Sequence, residues 1–487
     1  MKSLSIVMAG SEVAGFARTG GLGDVLGALP RQLARLGHTV KLFMPYYSDI
    51  DLTNPRITML DVNLPVMIGD QEFPMSIGRQ LSAKTGPEMF FLYNEELFDR
   101  PGLYCDPETG RDYVDNDLRF AFFSRGVLEA VRYLGLRPDI IHSHDWQAGL
   151  IPAYLKSLYA DEPQFGPTRT VLTIHNLGYQ GVFPGERFPT LGLPASEFYA
   201  MTGALEFYGK VNFLKGAIVR ADKLTTVSEQ YAREIQTPDF GCGLDGVLGL
   251  RAEDLSGILN GVDYGIWSPS RDHDIAYRFH PANLSGKRMT KIELMNEIGL
   301  PIREQVPLIG IVSRLADQKG FDLIEKAAER LFALDIQMIV LGTGEEHYHK
   351  LFTELEQCYP DKLKIFLTFD NALSHKIEAA SDLFLMPSRY EPCGLNQMYS
   401  LKYGTVPVVR KVGGLADTVE DFDPVTGKGT GFVFSDYKPE AMLAALERAV
   451  ALYPRRRLWT KLMKNGMAKD YSWKQSARRY SDLFLSM

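Results

Sequence analysis

Two successive sets of short apolar runs, each run followed by a helix-patterned segment, limit what this chain can fold into more than any other feature. In the first half the runs are Leu4 to Ala9, Val40 to Met44, Met89 to Tyr93, Asp139 to His142, Arg169 to Ile174 and Lys223 to Val227. In the second they are Pro307 to Val312, Gln337 to Leu341, Lys364 to Leu367, Asp382 to Met386, Val406 to Val409 and Gly431 to Phe434. Most lack in–out alternation, as expected of strands covered on both faces. Between them, Phe120, Phe123, Val127, Val131 and Leu134 step by three and four along one helix face. Strand and helix alternating at this spacing mean parallel sheets with right-handed crossovers. Two sets mean two doubly wound α/β domains, with ligands expected at the carboxyl ends of the strands.

A chain of 487 residues also exceeds one ordinary core. The join is placed at Ile258-Leu259-Asn260-Gly261-Val262-Asp263, where Asn-Gly signals a turn and polar residues follow. The expected divisions are therefore 1–258, 259–467 and a tail at 468–487. In that tail Trp473, Ala477, Tyr480 and Phe484 form an apolar stripe with no strand after it. Such a stripe must bury against something, and the expectation is that it packs back on the first domain.

Composition narrows the function classes. Hydrophobic residues at 45% and charged residues at 23% are the balance of a globular enzyme rather than a disordered chain. A net charge of −7 argues against nucleic acid or an anionic membrane as partner. Cys105, Cys242, Cys358 and Cys393 are scattered without a Cys-x-x-Cys pair, which speaks against a disulfide framework or zinc site and for a reducing compartment. The apolar run at the start is too short for a signal peptide and reads as a first strand. No run approaches the ~20 apolar residues of a membrane span. A cytoplasmic protein is expected.

Several strand ends carry groups suited to chemistry. Arg18-Thr19-Gly20-Gly21-Leu22-Gly23-Asp24 follows the first strand, where glycines let backbone N–H groups approach a phosphate at a helix N-terminus. Its spacing is not the dinucleotide fingerprint, and taken alone it is equally a plain turn. The helix after it contains Pro30 and can kink there. His142, His144 and Asp145 end one strand and His175-Asn176 another; His142 and His144 are expected to alternate, so that at most one faces the ligand. Hydrogen bonding is favoured over a metal for these histidines. In the second set, Arg314 and Lys319 follow a strand and can offset a diphosphate leaving group without a metal. Glu391, in Pro387-Ser388-Arg389-Tyr390-Glu391-Pro392-Cys393-Gly394-Leu395, can hydrogen-bond sugar hydroxyls; taken alone, the segment favours a surface Glu beside a Pro turn. Cys393 reads as a core cysteine. Asp-x-Asp pairs at Asp49/Asp51, Asp115/Asp117, Asp272/Asp274 and Asp421/Asp423 are too many to signal a metal.

Taken in order, these segments resemble the bacterial glycogen synthase and plant starch synthase family over nearly the whole chain. The matching blocks include Thr19-Gly20-Gly21-Leu22, His144-Asp145-Trp146, Thr173 to Leu177, Trp267-Ser268-Pro269, Ser313-Arg314-Leu315 with Gln318-Lys319-Gly320, Glu391 to Leu395, and Gly413 to Val419. The resemblance implies two Rossmann-like domains facing across a cleft (the GT-B arrangement), with the C-terminal helix crossing back. It implies glucosyl transfer from ADP-glucose to the non-reducing end of an α-1,4-glucan such as glycogen, with retention and no essential metal or other cofactor. By that resemblance the catalytic group is Glu391, Arg314, Lys319, His175 and Asp145. Donor binding falls to Arg18, Gly20, Gly21, Asn176, Cys393, Gly394, Leu395 and Asn396.

The chain departs from the family pattern where Arg18 replaces a usual Lys and where Asn396 replaces a frequent Thr. Tyr399 stands eight residues after Glu391, where broader transferases of this fold carry a second Glu and the synthase branch does not. The rival functions are a sugar-nucleotide transferase with a small acceptor and a non-catalytic glucan-binding relative. The second would need a lost catalytic group, and none is missing.

Overall fold

The structure is a computed structural model describing residues 2–50, 56–81, 86–199 and 203–487. It divides into two units: Met1–Val227 with Ala232–Leu259 and Trp473–Met487, and Ser228–Tyr231 with Asn260–Ser472.

In the first unit the strands are β1 Ser5–Ala9, β2 Thr39–Pro45, β3 Ile57–Met59, β4 Leu64–Ile68, β5 Gln71–Gln80, β6 Glu88–Tyr93, β7 Ile140–His144, β8 Arg169–Ile174, β9 Val182–Pro184, β10 Glu206–Phe207, β11 Lys210–Asn212, β12 Lys223–Thr226 and β13 Leu255–Gly257. The main sheet runs β13-β12-β8-β7-β1-β2-β6-β5-β3, with β4 on β5. The seven strands from β13 to β6 are parallel and the meander β3–β5 is antiparallel. Order reverses at β1, which lies between β2 and β7, so the β1 and β7 carboxyl ends flank the topological switch point. Burial on both faces explains the apolar runs: in β7 every residue is buried, and in β1 all but the first.

The second unit contains β14 Leu308–Val312, β15 Gln337–Leu341, β16 Leu363–Phe366, β17 Leu383–Met386, β18 Val406–Arg410 and β19 Phe432–Phe434. They form a parallel sheet ordered β16-β15-β14-β17-β18-β19, whose switch point lies between β14 and β17. Its largest core cluster joins this sheet to the helices Phe321–Ala333, Pro439–Leu452 and Arg456–Met467.

Two local features differ from the sequence expectation or refine it. The helix Gly21–Arg35 continues through Pro30, its apolar face carried by Val25, Leu26, Leu29 and Leu33, all buried. The terminal helix Trp473–Leu485 belongs to the first unit, where it packs on Gly21–Arg35. Its stripe is fully used: Trp473, Ala477, Tyr480 and Phe484 are buried, and Ser481 Oγ lies 2.8 Å from His38 Nε2.

Candidate active site

In the second unit the switch point gathers the expected residues. Arg314 lies two residues past β14 and is exposed. A single 3₁₀ turn, Asp317–Lys319, follows and ends at Gly320 with φ +75°. A Cβ on Gly320 would stand 2.1 Å from the Pro387 carbonyl oxygen, so only glycine lets this turn touch the end of β17. Backbone bonding secures the same approach, Arg389 N–H donating to Gln318 O at 2.8 Å. As a result Lys319 Nζ sits 2.7 Å from Glu391 Oε2, which also accepts from Ser388 Oγ at 2.9 Å. The Glu391 side chain is 6% exposed against 20% for Lys319, so the carboxyl side chain is the more sheltered of the two.

The segment after Glu391 is held by backbone. Gly414 N–H donates to Glu391 O at 3.1 Å, and a Cβ there would meet Cys393 O at 2.0 Å. Gly394 is left-handed at φ +68°, and Leu395 caps the helix Asn396–Tyr403. Asn396 Nδ2 donates back to Val312 O at 2.6 Å, tying that helix start to the end of β14. Cys393 is buried, and burial pushes its thiol up to about 12, which suits packing and not nucleophilic attack. Tyr399 lies flat on Trp267, centroids 4.0 Å apart at 3°, and Trp267 lies on His375 at 3.8 Å and 11°. The ring at this position is therefore packed as part of a stack.

In the first unit, β7 and β8 bring Asp145 and His175 together. Asp145 follows β7 with φ +54°, a left-handed conformation that costs a non-glycine residue and recurs at functional sites. Its Oδ1 accepts from His175 N–H at 2.7 Å, and burial raises the carboxyl to about 7 against this hydrogen bond and that from Asn176 N–H. His175 Nε2 is 2.9 Å from His144 Nδ1, and burial lowers the His175 ring to about 3. The expectation that His142 and His144 face opposite ways is overturned: their rings are 4.1 Å apart, because strand residues two apart share a face. His142 instead bonds Thr173 Oγ1 at 2.6 Å.

The glycine loop contains a residue that sequence reading missed. Glu12, 4% exposed, accepts from Thr19 N–H at 2.6 Å, Thr19 Oγ1 at 2.7 Å, Gly20 N–H at 3.1 Å and the Tyr104 hydroxyl at 2.7 Å. A buried carboxylate thus organises the loop from beneath, occupying two of its amides. Its only sequence signal is an acid set just past an apolar strand. Gly20 and Gly21 remain exposed, with Gly20 capping the helix, and apart from the adjoining backbone no atom of the described residues lies within 4 Å of a Cβ built on either. Arg18 pairs with Asp24 at 3.0 Å; burial raises the Asp24 carboxyl to about 6, and Arg18 opposes that rise.

Among the described residues, the sets of three side chains close enough to share a metal are Asp272, Asp274 and His375, and Asp317, Glu345 and His347. Asp272 Oδ2 is already taken by His375 Nδ1 at 2.8 Å and by the Tyr403 hydroxyl. Asp51 of the Asp49/Asp51 pair lies outside the described residues.

Two α/β units, one on a mostly parallel sheet and one on a wholly parallel sheet, each with acidic, basic or imidazole groups at its switch point, have the architecture of a glycosyltransferase of the GT-B fold, and comparison with known proteins agrees. Residues 5–249 match the starch synthase catalytic domain family and residues 296–465 the group 1 glycosyl transferases. The glycogen synthase of Koribacter versatilis is 49% identical over 98% of this chain and 97% of its own; that of Geotalea daltonii is 47% identical over 99% and 98%. The catalytic domain of starch synthase IV from Arabidopsis thaliana, solved with ADP and acarbose, superposes with a TM-score of 0.91 at 34% identity, covering 100% of this chain and 99% of that one. A sucrose-phosphate synthase from Thermosynechococcus elongatus shares the fold at a TM-score of 0.60 and 16% identity, covering 99% of this chain and 98% of that one. The chain belongs to the glycogen and starch synthase family and is a glycosyltransferase.

Proposed function

We propose that this chain transfers glucose from ADP-glucose to the non-reducing end of an α-1,4-glucan with retention at the anomeric carbon, acting in the cytoplasm without an essential metal or other cofactor. The observation that carries the reading is the Lys319–Glu391 pair at the β14/β17 switch point, a sheltered carboxylate beside a partly exposed lysine. Arg314 and Lys319 would hold the donor diphosphate and neutralise charge as it departs. Glu391, Asp145 and His175 would contact the donor glucose. Arg18, Gly20, Gly21, Asn176 and the Cys393–Asn396 segment would complete donor binding. The ADP in the Arabidopsis starch synthase structure supports an adenine nucleotide, and the acarbose there supports an oligosaccharide-like acceptor.

In the step itself the bond from C1 to the β-phosphate oxygen breaks and a bond from C1 to the acceptor O4 forms on the same face. The acceptor hydroxyl proton passes to the departing phosphate oxygen, so no separate protein base is required. The test is donor competition with glycogen as acceptor. ADP-glucose should be used at least about tenfold more efficiently than UDP-glucose, a difference of roughly 1.4 kcal/mol in transition-state binding. Equal rates from the two donors would overturn the donor assignment, and a disaccharide product would overturn the polymer acceptor. No helix among the described residues is long and apolar enough to cross a membrane, and the charge of −7 offers no general attraction to nucleic acid.

A further inference from the structure

A chain of polar contacts runs through the buried side of the first unit to His175. Thr225 Oγ1 lies 2.6 Å from Thr173 Oγ1, which lies 2.6 Å from His142 Nε2. The His142 ring packs on the His144 ring, and His144 Nδ1 lies 2.9 Å from His175 Nε2. His142 and His144 have no exposed surface, and His144 Nε2 has no hydrogen-bond partner among the described residues. From the other side Tyr480 and Phe484 of the terminal helix close over His142, each 5.5 Å between ring centroids. At this end of the chain the Asp145 carboxyl accepts from His175 N–H, and Glu12 acts on that carboxyl through its charge.

A neutral imidazole carries one N–H, so one proton must lie between His144 and His175. If His175 held it on Nε2, His144 would carry its own proton on Nε2, a buried donor with no acceptor. If His144 holds it on Nδ1, only a bare lone pair is left unpaired. A buried orphan N–H is the rarer and costlier fault. We infer that His144 is a positioning residue that donates from Nδ1 to His175 Nε2 and so fixes His175 as the Nδ1–H tautomer. His175 then offers a hydrogen-bond donor at its remaining nitrogen, the polarity a sugar hydroxyl oxygen can accept. The catalytic use of that donor rests on the proposed contact between His175 and the donor glucose; the tautomer does not.

The test is ¹⁵N NMR of the full chain labelled at its nine histidines, with His175→Ala supplying the assignment. Wild type should show His175 protonated at Nδ1 and bare at Nε2. His144→Phe, which keeps a ring and loses the N–H, should release His175 into a tautomer mixture and lower kcat/KM about tenfold, the value of one hydrogen bond. His144→Asn, whose amide N–H can take the place of Nδ1–H, should keep both the tautomer and most activity. In a His175→Ala background His144→Phe should add no further loss. A wild-type His175 protonated at Nε2 overturns the inference, as does an unchanged tautomer in His144→Phe or an equal loss without His175. Should His144→Phe fail to fold, wild type and His144→Asn decide. Full activity of His175→Ala would instead overturn the sugar-contact reading and leave the tautomer result standing.

Discussion

The glycines at the two switch points look alike in sequence and are demanded by different things. In the second unit a Cβ on Gly342 would stand 1.8 Å from Ser313 O, and one on Gly414 2.0 Å from Cys393 O. There the chain itself requires glycine, because backbone passes against backbone. In the first unit Gly20 and Gly21 have, apart from the adjoining backbone, no atom of the described residues within 4 Å of an added Cβ, and Gly20 at φ −161° is in extended backbone open to any residue. Among the described residues no neighbour requires glycine there. Under the proposed function, glycine at these positions leaves the backbone open to a donor. The titratable groups divide in a parallel way. The second unit pairs an ammonium with a carboxylate, whereas the first holds neutral imidazoles beside a carboxyl whose proton burial favours.

The largest expected effect tests that division of charge. Glu391→Gln keeps the shape and the Ser388 contact but removes the anion beside Lys319, and kcat should fall about 10²–10³-fold, as for loss of a transition-state electrostatic contact. Lys319→Ala should lose a similar factor and also destabilise the second unit, since it leaves a sheltered carboxylate without its partner. Asp145→Asn should cost less, about tenfold, because its carboxyl is raised to about 7 and is about half protonated near neutral pH. Steady-state kinetics on the three variants decide the ranking, and equal losses would erase the contrast between the units.

Next in size is the glycine contrast. Gly342→Ala and Gly414→Ala should each cost about 3 kcal/mol or more in denaturant unfolding, because a backbone carbonyl must move. Gly20→Ala should change stability by less than about 0.5 kcal/mol while raising the KM for the donor about tenfold. A destabilised Gly20→Ala with unaltered KM would mean that the loop glycine serves the fold.

Much of this was legible in the sequence, and the reasons are specific. All twelve apolar runs are strands in the structure because parallel strands buried on both faces leave uninterrupted Val, Ile and Leu. The meander β3–β5 escaped because Pro65, Pro74 and Gly78 break its pattern and its faces are unequally buried. At the site, Lys319 and Glu391 were legible as residues, but their meeting depends on a turn crossing to another strand 72 positions away. Glu12 left only the faint signal of an acid just past an apolar strand, since a buried carboxylate is defined by the amides around it and those come from a loop that spacing cannot fold. The facing of His142 and His144 was legible and misjudged, for a two-residue step keeps a side chain on its face.

Acid should act on the imidazoles and carboxyls of the first unit by a smaller amount. Burial holds His142 and His175 near 3, down from 6.5, and His144 well below 6.5. Between these limits the unfolded chain binds more protons than the folded one, so stability falls as pH drops from about 6.5 toward 3. Asp145 and Asp24 act oppositely: raised from 3.8 to about 7 and about 6, they contribute stability fully below 3.8 that is lost as pH rises through those values. Three imidazoles against two carboxyls leave these groups with a net loss on acidification. His175→Asn should reduce proton uptake on unfolding between pH 6 and 4 by about one. An unchanged uptake would show that His175 is protonated in the folded chain.

The smallest effect expected lies at Arg18, and it tests how far the open loop of the first unit is shaped for a ligand. The Arg18 side chain is 46% exposed and its ion pair with Asp24 at 3.0 Å is partly screened, so Arg18→Lys should change stability by less than about 0.5 kcal/mol. A planar fork and a point ammonium nonetheless place their donors differently around a phosphate. If the loop meets the donor diphosphate, Arg18→Lys should shift the donor KM by about twofold to fivefold with kcat nearly unchanged, the pattern of a ground-state contact. If only kcat moves, Arg18 acts at the reacting centre. No change in either constant would leave Arg18 as the surface partner of Asp24 and confine the donor contacts of this loop to its backbone.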